Sequence, residues 1–319
     1  MKKNKLLCCD WGTSNFRLYL LDIVTTKVLR IVQSDQGIAT TFDAWKKNGQ
    51  NNRVDFYRTF LHAQIQRLAT KIGANLEYVP IILSGMASSS IGMIEVPYTE
   101  VPFDIDEPNL SIKQFSATTT FPNELFIYGG LKTDQDVMRG EEVQLLGLSH
   151  LIHTESSICL LPGTHSKHIR IENKKVVDFQ TFMTGECFDL FSKQSILKDS
   201  VNAGAIFSET QQGFFKKGLL KAQQTNLLNS LFSVRTNTLL KDVTAENNYH
   251  YLSGLLIGQE LKALQDFKGQ LLLNCSNHLA VIYEFALKTL QLDHQLTVVT
   301  KRDMAQCIPI AHTKLYQNI

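Results

Sequence analysis

The sequence predicts an α/β protein made of two domains with similar architecture. A run of three meandering strands is followed by helices that alternate with single strands, and the whole pattern then recurs in the second half of the chain. Each meander also opens on a strand of buried character that ends in a Gly-Thr turn, "DWGTSN" at 10–15 and "PGTHSK" at 162–167. The 319 residues, 44% of them hydrophobic, suffice for two domains with separate cores.

The first meander is read at Leu6–Asp10, Phe16–Asp22 and Val28–Gln33. Helical spacing of Phe56, Phe60, Leu61, Ile65, Leu68 and Ile72 predicts a helix over Val54–Lys71, and the apolar run Val79–Leu83 predicts a buried strand ending at Ser84-Gly85. The long connection "SGMASSSIGMIEVPYTEVPFD" follows, and its apolar and aromatic content points to function rather than disorder. A strand at Leu125–Tyr128 precedes "DVMRGEEVQLLGLSHLI", which begins a helix after Arg139-Gly140. The second meander is Ser157–Leu161, Ser166–Ile171 and Val176–Phe182. Helices are expected near Glu186–Ser192, Ala203–Phe215, Gly218–Phe232 and Tyr249–Leu264, then strand Gln270–Asn274, helix Asn277–Leu290, strand Leu296–Thr300 and a last helix. This divides the chain into domains at 1–138 and 139–302, with a terminal helix at 303–319 packing back on the first, and it anticipates a ligand cleft between the domains.

Charge is nearly balanced, with 32 Lys and Arg against 30 Asp and Glu, so no nucleic-acid partner is expected. No apolar run approaches a membrane span or a secretory core, and the six cysteines lie mostly in apolar runs without a C-x-x-C pair. The expectation is a cytoplasmic protein with reduced core thiols and no membrane partner.

A hairpin tip built on Gly-Thr directs backbone N–H groups and small hydroxyls the same way, a geometry suited to phosphate oxygens, and two such tips could grip a polyphosphate. Asp10 ends an otherwise apolar strand, where a carboxylate needs a partner such as hydrated Mg²⁺. The alternative is a pair of hairpins whose glycines only satisfy turn geometry. Neither turn has the Gly-Lys-Ser/Thr ending of a P-loop, and no G-x-G-x-x-G is present.

The blocks "DWGTSNFRLYL", "SGMASSSIGMIEVPY", "DVMRGEEVQLLG", "LLPGTHSKHI", "FQTFMTGE" and "LSGLLIGQEL", in this order, resemble the 2-dehydro-3-deoxygalactonokinase family of the actin, heat-shock chaperone and sugar kinase superfamily. The resemblance implies two actin-like (ribonuclease H-like) domains, each with a mixed sheet flanked by helices, and an interdomain cleft. It implies ATP and Mg²⁺ as cofactors, a small sugar-acid substrate, and transfer of the γ-phosphoryl group to the 6-hydroxyl of 2-dehydro-3-deoxy-D-galactonate in galactonate or galactose breakdown. A homodimer stays an open expectation.

By the same resemblance Asp10, Gly12, Thr13, Ser14 and Asn15 form a first phosphate loop, with Asp10 holding a metal-bound water. Gly163, Thr164, His165, Ser166 and Lys167 form the second, and Cys275 and Ser276 lie at the adenosine end. Glu141 is the expected catalytic base, ahead of Glu142 and Asp10; both glutamates sit in the first turn of a helix, where acids are favoured in any case. Arg139 is the candidate for the substrate carboxylate, which a guanidinium fork suits. Ser84, Met86, Ser88, Ser89 and Thr184 are expected to line the sugar-acid pocket.

Two departures from the family pattern stand out. Asn274-Cys275 replaces a glycine expected before Ser276, which could narrow the nucleotide pocket, and Pro309 interrupts the last helix. They keep open the reading of a nucleotide or sugar sensor that no longer turns over; a kinase for another 2-keto-3-deoxy acid, such as the gluconate epimer, also stays open, because one hydroxyl's configuration separates the two substrates.

Overall fold

The computed structural model describes residues 4–49, 52–204 and 206–319. Among them fifteen strands run β1 (Lys5–Trp11), β2 (Phe16–Asp22), β3 (Lys27–Ser34), β4 (Ile81–Gly85), β5 (Thr99–Glu100), β6 (Phe103–Asp104), β7 (Ile112–Phe115), β8 (Leu125–Tyr128), β9 (Leu131–Lys132), β10 (Val137–Met138), β11 (Ser156–Leu161), β12 (Ser166–Glu172), β13 (Lys175–Phe182), β14 (Gln270–Leu273) and β15 (Leu296–Val298). The α-helices are α1 (Ile38–Lys47), α2 (Arg53–Ile72), α3 (Glu141–Leu148), α4 (Thr184–Lys193), α5 (Glu209–Gln224), α6 (Leu227–Lys241), α7 (Ala245–Leu261), α8 (Asn277–Thr289) and α9 (Lys301–Gln317).

The chain forms two compact units. The first comprises residues 1–151, 174–178 and 302–319, and the second residues 152–173 and 179–301. Residues 139–151 therefore belong with the first unit and not, as expected from sequence, at the start of the second domain. The apolar face of α3 explains this: Val143, Leu145, Leu146 and Leu148 are all buried, and a Cβ at Gly147 would lie 1.9 Å from the Cys307 carbonyl of α9.

In the first unit the sheet order is β3-β2-β1-β4-β8-β7. β1 pairs antiparallel with β2 and parallel with β4, so Asp10 stands between Arg17 and Ser84. Leu7, Cys9, Trp11, Leu18, Ile81 and Leu83 of this sheet share one apolar core with the buried side of α2. Trp11 and Phe16 meet edge to face at 5.1 Å, and Phe60 stacks on Trp11 at 5.0 Å. These rings flank the 12–15 turn, so both of its ends are fixed in the core while Thr13, Ser14 and Asn15 stay exposed.

The second unit orders its strands β15-β14-β11-β12-β13. At its start, β13 pairs Lys175 and Val176 with Asp104 and Phe103 of β6, and these residues group with the first unit. α7 is buried nearly all round, as expected of a helix enclosed by others. Among the described residues no helix is long and apolar enough to cross a membrane, and all six cysteines are free thiols.

Two expectations need correction. Helices expected at 203–215 and 218–232 are instead α5 and α6, with the break at Thr225-Asn226; Ala205 lies outside the described residues. Gly218 reads as a breaker but is a packing residue: its added Cβ would lie 2.1 Å from the Tyr251 carbonyl, and one on Gly254 would lie 2.1 Å from that of Phe215. The two glycines let α5 and α7 touch backbone to backbone. Gly218→Ala is accordingly expected to cost about 1–3 kcal/mol and lower Tm by several degrees; an unchanged thermal unfolding curve contradicts this packing. Pro309, in turn, does not end α9, which runs through it to Gln317.

Candidate active site

The first unit gathers its candidate residues at the carboxyl ends of β1 and β4, where open α/β sheets place their ligands. The 12–15 turn is closed by Gly12 N–H donating to the Asn15 carbonyl at 2.9 Å. α1, which was not expected from sequence, holds it from beneath: Ile38 and Ala39 N–H donate to the carbonyls of Gly12 and Thr13 at 2.9 and 3.1 Å. With these carbonyls engaged on one side, the exposed side of the turn is left to its N–H groups and hydroxyls. Asp10 pairs with Arg17 at 3.1 Å. Burial pushes its carboxyl up, and the Arg17 charge and hydrogen bond oppose that.

α3 starts at Gly140, whose φ of 105° is open to glycine and strained for other residues. A Cβ there would lie 3.4 Å from Cα of Gly85, so the start of α3 abuts the end of β4. The two glutamates then separate in role. Glu142 is buried, and both its oxygens accept from Gly140 N–H, at 2.9 and 2.7 Å. Glu141 is half-buried, and its Oε2 accepts from Arg139 N–H at 3.0 Å.

Burial, then the neighbouring Glu141 charge, pushes the Glu142 carboxyl up to about 8. The folded state thus holds this proton more tightly than the unfolded chain. The resulting stability is full below about pH 4.5 and is lost as pH rises through about 8. Glu142→Gln keeps an oxygen for Gly140 N–H and cannot ionise. Its Tm is expected to rise relative to the parent between pH 5 and 8, and a pH-independent difference in melting series contradicts the shift.

Arg139 donates from Nη1 to Ser88 Oγ and from Nη2 to the Val96 carbonyl at 3.3 Å, and its guanidinium lies 4.2 Å from the ring centre of Tyr98. Nε is buried with no hydrogen-bond partner among the described residues. The three serines expected at this pocket, Ser84, Ser88 and Ser89, are buried. Ser88 Oγ also donates to the Gly85 carbonyl at 3.1 Å, and Ser89 Oγ to the Met86 carbonyl at 2.7 Å. Ser84 is buried against His312 of α9, Oγ to Nε2 2.9 Å, and burial lowers that imidazole to about 3. Met86 is half-buried. Ser84, Ser88 and Ser89 are therefore supports within this unit rather than exposed hydroxyls.

In the second unit Gly163, Thr164 and His165 are exposed at the tip between β11 and β12. His165 Nε2 meets Glu186 Oε2 at 2.5 Å. Ser166 and Lys167 are buried, and Lys167 Nζ donates to Thr181 Oγ1 of the neighbouring β13. α4 begins against this loop: a Cβ on Gly185 would lie 2.5 Å from the Gly163 carbonyl, and Glu186 N–H donates to the Thr164 carbonyl at 3.0 Å. Beside it opens a cavity of about 210 Å³, lined by Gly163, Thr184 and Gly185 together with α7 and α8 residues such as His250, Ser253, His278 and Tyr283. The α7 and α8 residues were not legible beforehand, because separate helices bring them together only on folding. Among the described residues no group of three or more His, Cys, Asp or Glu side chains is placed to hold a metal ion.

A family model described as 2-keto-3-deoxy-galactonokinase matches residues 10–307. The chain belongs to this family. It is similar to DgoK1 of Rhizobium meliloti, provisionally named a 2-dehydro-3-deoxygalactonokinase, with 32% identity over 289 residues and 88% of each chain covered. It is 29% identical to the 2-dehydro-3-deoxygalactonokinase of Escherichia coli over 268 residues, 82% of this chain and 81% of that one. A crystal structure from Sinorhizobium meliloti, of a protein provisionally given the same name, matches with a TM-score of 0.79 and 27% identity, covering 97% of this chain and 95% of that chain. The α/β fold expected from sequence is thus shared with that crystal structure.

The departure from the family pattern at Asn274-Cys275 is absorbed by the core. Cys275 is buried in the apolar cluster with Leu273, Ala280 and Tyr283, its thiol pushed up to about 12 by burial. Asn274 N–H donates to the Leu160 carbonyl at 2.9 Å, and neither Asn274 nor Cys275 lines the cavity. Ser276 is exposed at the N-cap of α8.

Proposed function

We propose that this chain is an ATP-dependent 2-dehydro-3-deoxygalactonokinase, esterifying the 6-hydroxyl of 2-dehydro-3-deoxy-D-galactonate with the γ-phosphoryl group. Family membership and the names of its relatives support the reaction class. The observation that carries the substrate class is Arg139. A guanidinium has five N–H donors; here the protein engages both Nη atoms and leaves Nε–H buried without an acceptor among the described residues. A buried donor of this kind is costly unless a ligand completes it, and a sugar-acid carboxylate supplies the acceptor.

Glu141 stands two residues away and is half-buried, so it serves as the base that takes the hydroxyl proton. Glu142 caps Gly140 and fixes the turn from which Glu141 projects. The turns at 12–15 and 163–166 receive phosphate oxygens, and the cavity at α4, α7 and α8 receives the nucleoside. Asp10 would hold Mg²⁺ through water, a role that suits a single carboxylate, because this ion keeps several waters and takes the remaining ligands from phosphates. When bound, the ion neutralises charge on the transferring phosphate.

The test is product analysis. With Mg²⁺-ATP and 2-dehydro-3-deoxy-D-galactonate, phosphorus NMR is expected to show a monoester coupled to the C6 protons. A phosphate at another position, or none, counts against the assignment.

A further inference from the structure

The block LSGLLIGQEL, at 252–261, has its glycines accounted for by packing of α7 on α5, but its glutamate lies in the interior at 1% exposure. An ionised carboxylate in an apolar setting is tolerated only with its oxygens well bonded, and an apolar side chain would fill the same space at lower cost. Among the described residues, three side chains donate to Glu260. His168 Nε2 donates to Oε1 at 3.1 Å, Tyr283 Oη donates to Oε2 at 2.8 Å, and Thr184 Oγ1 also donates to Oε2.

Two of these partners lead to the exposed tip at Gly163-Thr164. Ser166 hydrogen-bonds to the Tyr283 hydroxyl, and Ser166 Oγ accepts from Gly163 N–H at 3.4 Å. A relay therefore runs from the loop backbone through Ser166 and Tyr283 to the carboxylate. Thr184 is the first residue of α4, and the next two residues press Gly185 against Gly163 and bond Glu186 N–H to the Thr164 carbonyl. Tyr283 and Thr184 also form part of the cavity wall.

We infer that Glu260 is a positioning residue: it holds the second phosphate loop and the first turn of α4 in the shape that receives a nucleotide. This deepens the kinase reading and rests on it for the identity of the ligand. Because hydroxyl hydrogens are drawn to the carboxylate, the loop is tied from both sides to one fixed acceptor. Replacing that acceptor with an amide leaves the volume but removes the charge and turns one oxygen into a donor, so either the two hydroxyls on Oε2 or His168 on Oε1 lose their acceptor and the hold on the loop weakens.

The experiment is calorimetric titration of the full-length chain with Mg²⁺-ADP, without sugar acid, for the parent, Glu260→Gln and Tyr283→Phe. Glu260→Gln is expected to raise the ADP Kd at least tenfold and Tyr283→Phe at least threefold. In steady state the KM for ATP should rise in step while the KM for the sugar acid stays within twofold. A purely structural role would lower Tm and leave Kd and both KM values unchanged, and that pattern overturns the inference. Should Glu260→Gln fail to fold, Tyr283→Phe decides alone, since it keeps the ring and removes only the relay. Parent protein that binds ADP yet phosphorylates no 2-dehydro-3-deoxygalactonate defeats the kinase reading without touching Glu260. A parent that does not bind ADP defeats both.

Discussion

Glu141→Gln is expected to lower kcat by about 10²–10⁴-fold with the KM for both substrates nearly unchanged, the range typical of a lost general base. Gln at 141 keeps an oxygen for Arg139 N–H, which Glu141 Oε2 accepts at 3.0 Å, so the turn survives and only proton acceptance is removed. Glu142→Gln is expected to stay within about tenfold of the parent, because the buried Glu142 already carries its proton up to about pH 8 and acts on Gly140 through acceptor atoms that an amide partly retains. Steady-state kinetics of the two variants at pH 7 separates these roles. Loss of turnover in Glu142→Gln with normal turnover in Glu141→Gln reverses the assignment.

Arg139→Lys is expected to raise the KM for the sugar acid by about 10–100-fold and to leave the KM for ATP unchanged, since a charge-assisted hydrogen bond contributes about 1.5–3 kcal/mol and each 1.4 kcal/mol is tenfold. Lysine keeps the positive charge but loses the planar fork that spans Ser88 Oγ, the Val96 carbonyl and the ring of Tyr98. An equal rise in both KM values would show a collapse of the Ser84–Tyr98 segment instead of a lost carboxylate contact. Kinetics with each substrate varied in turn distinguishes the two.

Much of this was legible in the chain because strand meanders and Gly-Thr turns are local. Phe16–Asp22 and Leu125–Tyr128 fall where alternation and apolar runs put them. Gly218 misled because a glycine in a helix and a glycine between helices look alike in sequence, and only the 2.1 Å approach to Tyr251 separates them. α1 was missed although Ile38, Phe42 and Trp45 recur at helical spacing, because it is only ten residues long and no capping side chain or first-turn acid marks its start.

Among site residues, the exposed tips at 13–15 and 163–165 follow from the turn residues themselves. The inward turn of Ser84 and Lys167 does not, since their partners His312 and Thr181 are distant in sequence or across a strand pair. Glu260 was hidden for the same reason. A lone acid in an apolar helix gives no sign of which donors will surround it, and here they come from β12, α4 and α8.

The most direct measurement is ADP release by the purified protein with Mg²⁺-ATP in three parallel reactions, containing 2-dehydro-3-deoxy-D-galactonate, its gluconate epimer, or no acceptor. Kinase action on the galactonate predicts release stimulated selectively in the first reaction and close to background in the third. Equal release in all three, or none above background with ATP bound, would contradict it.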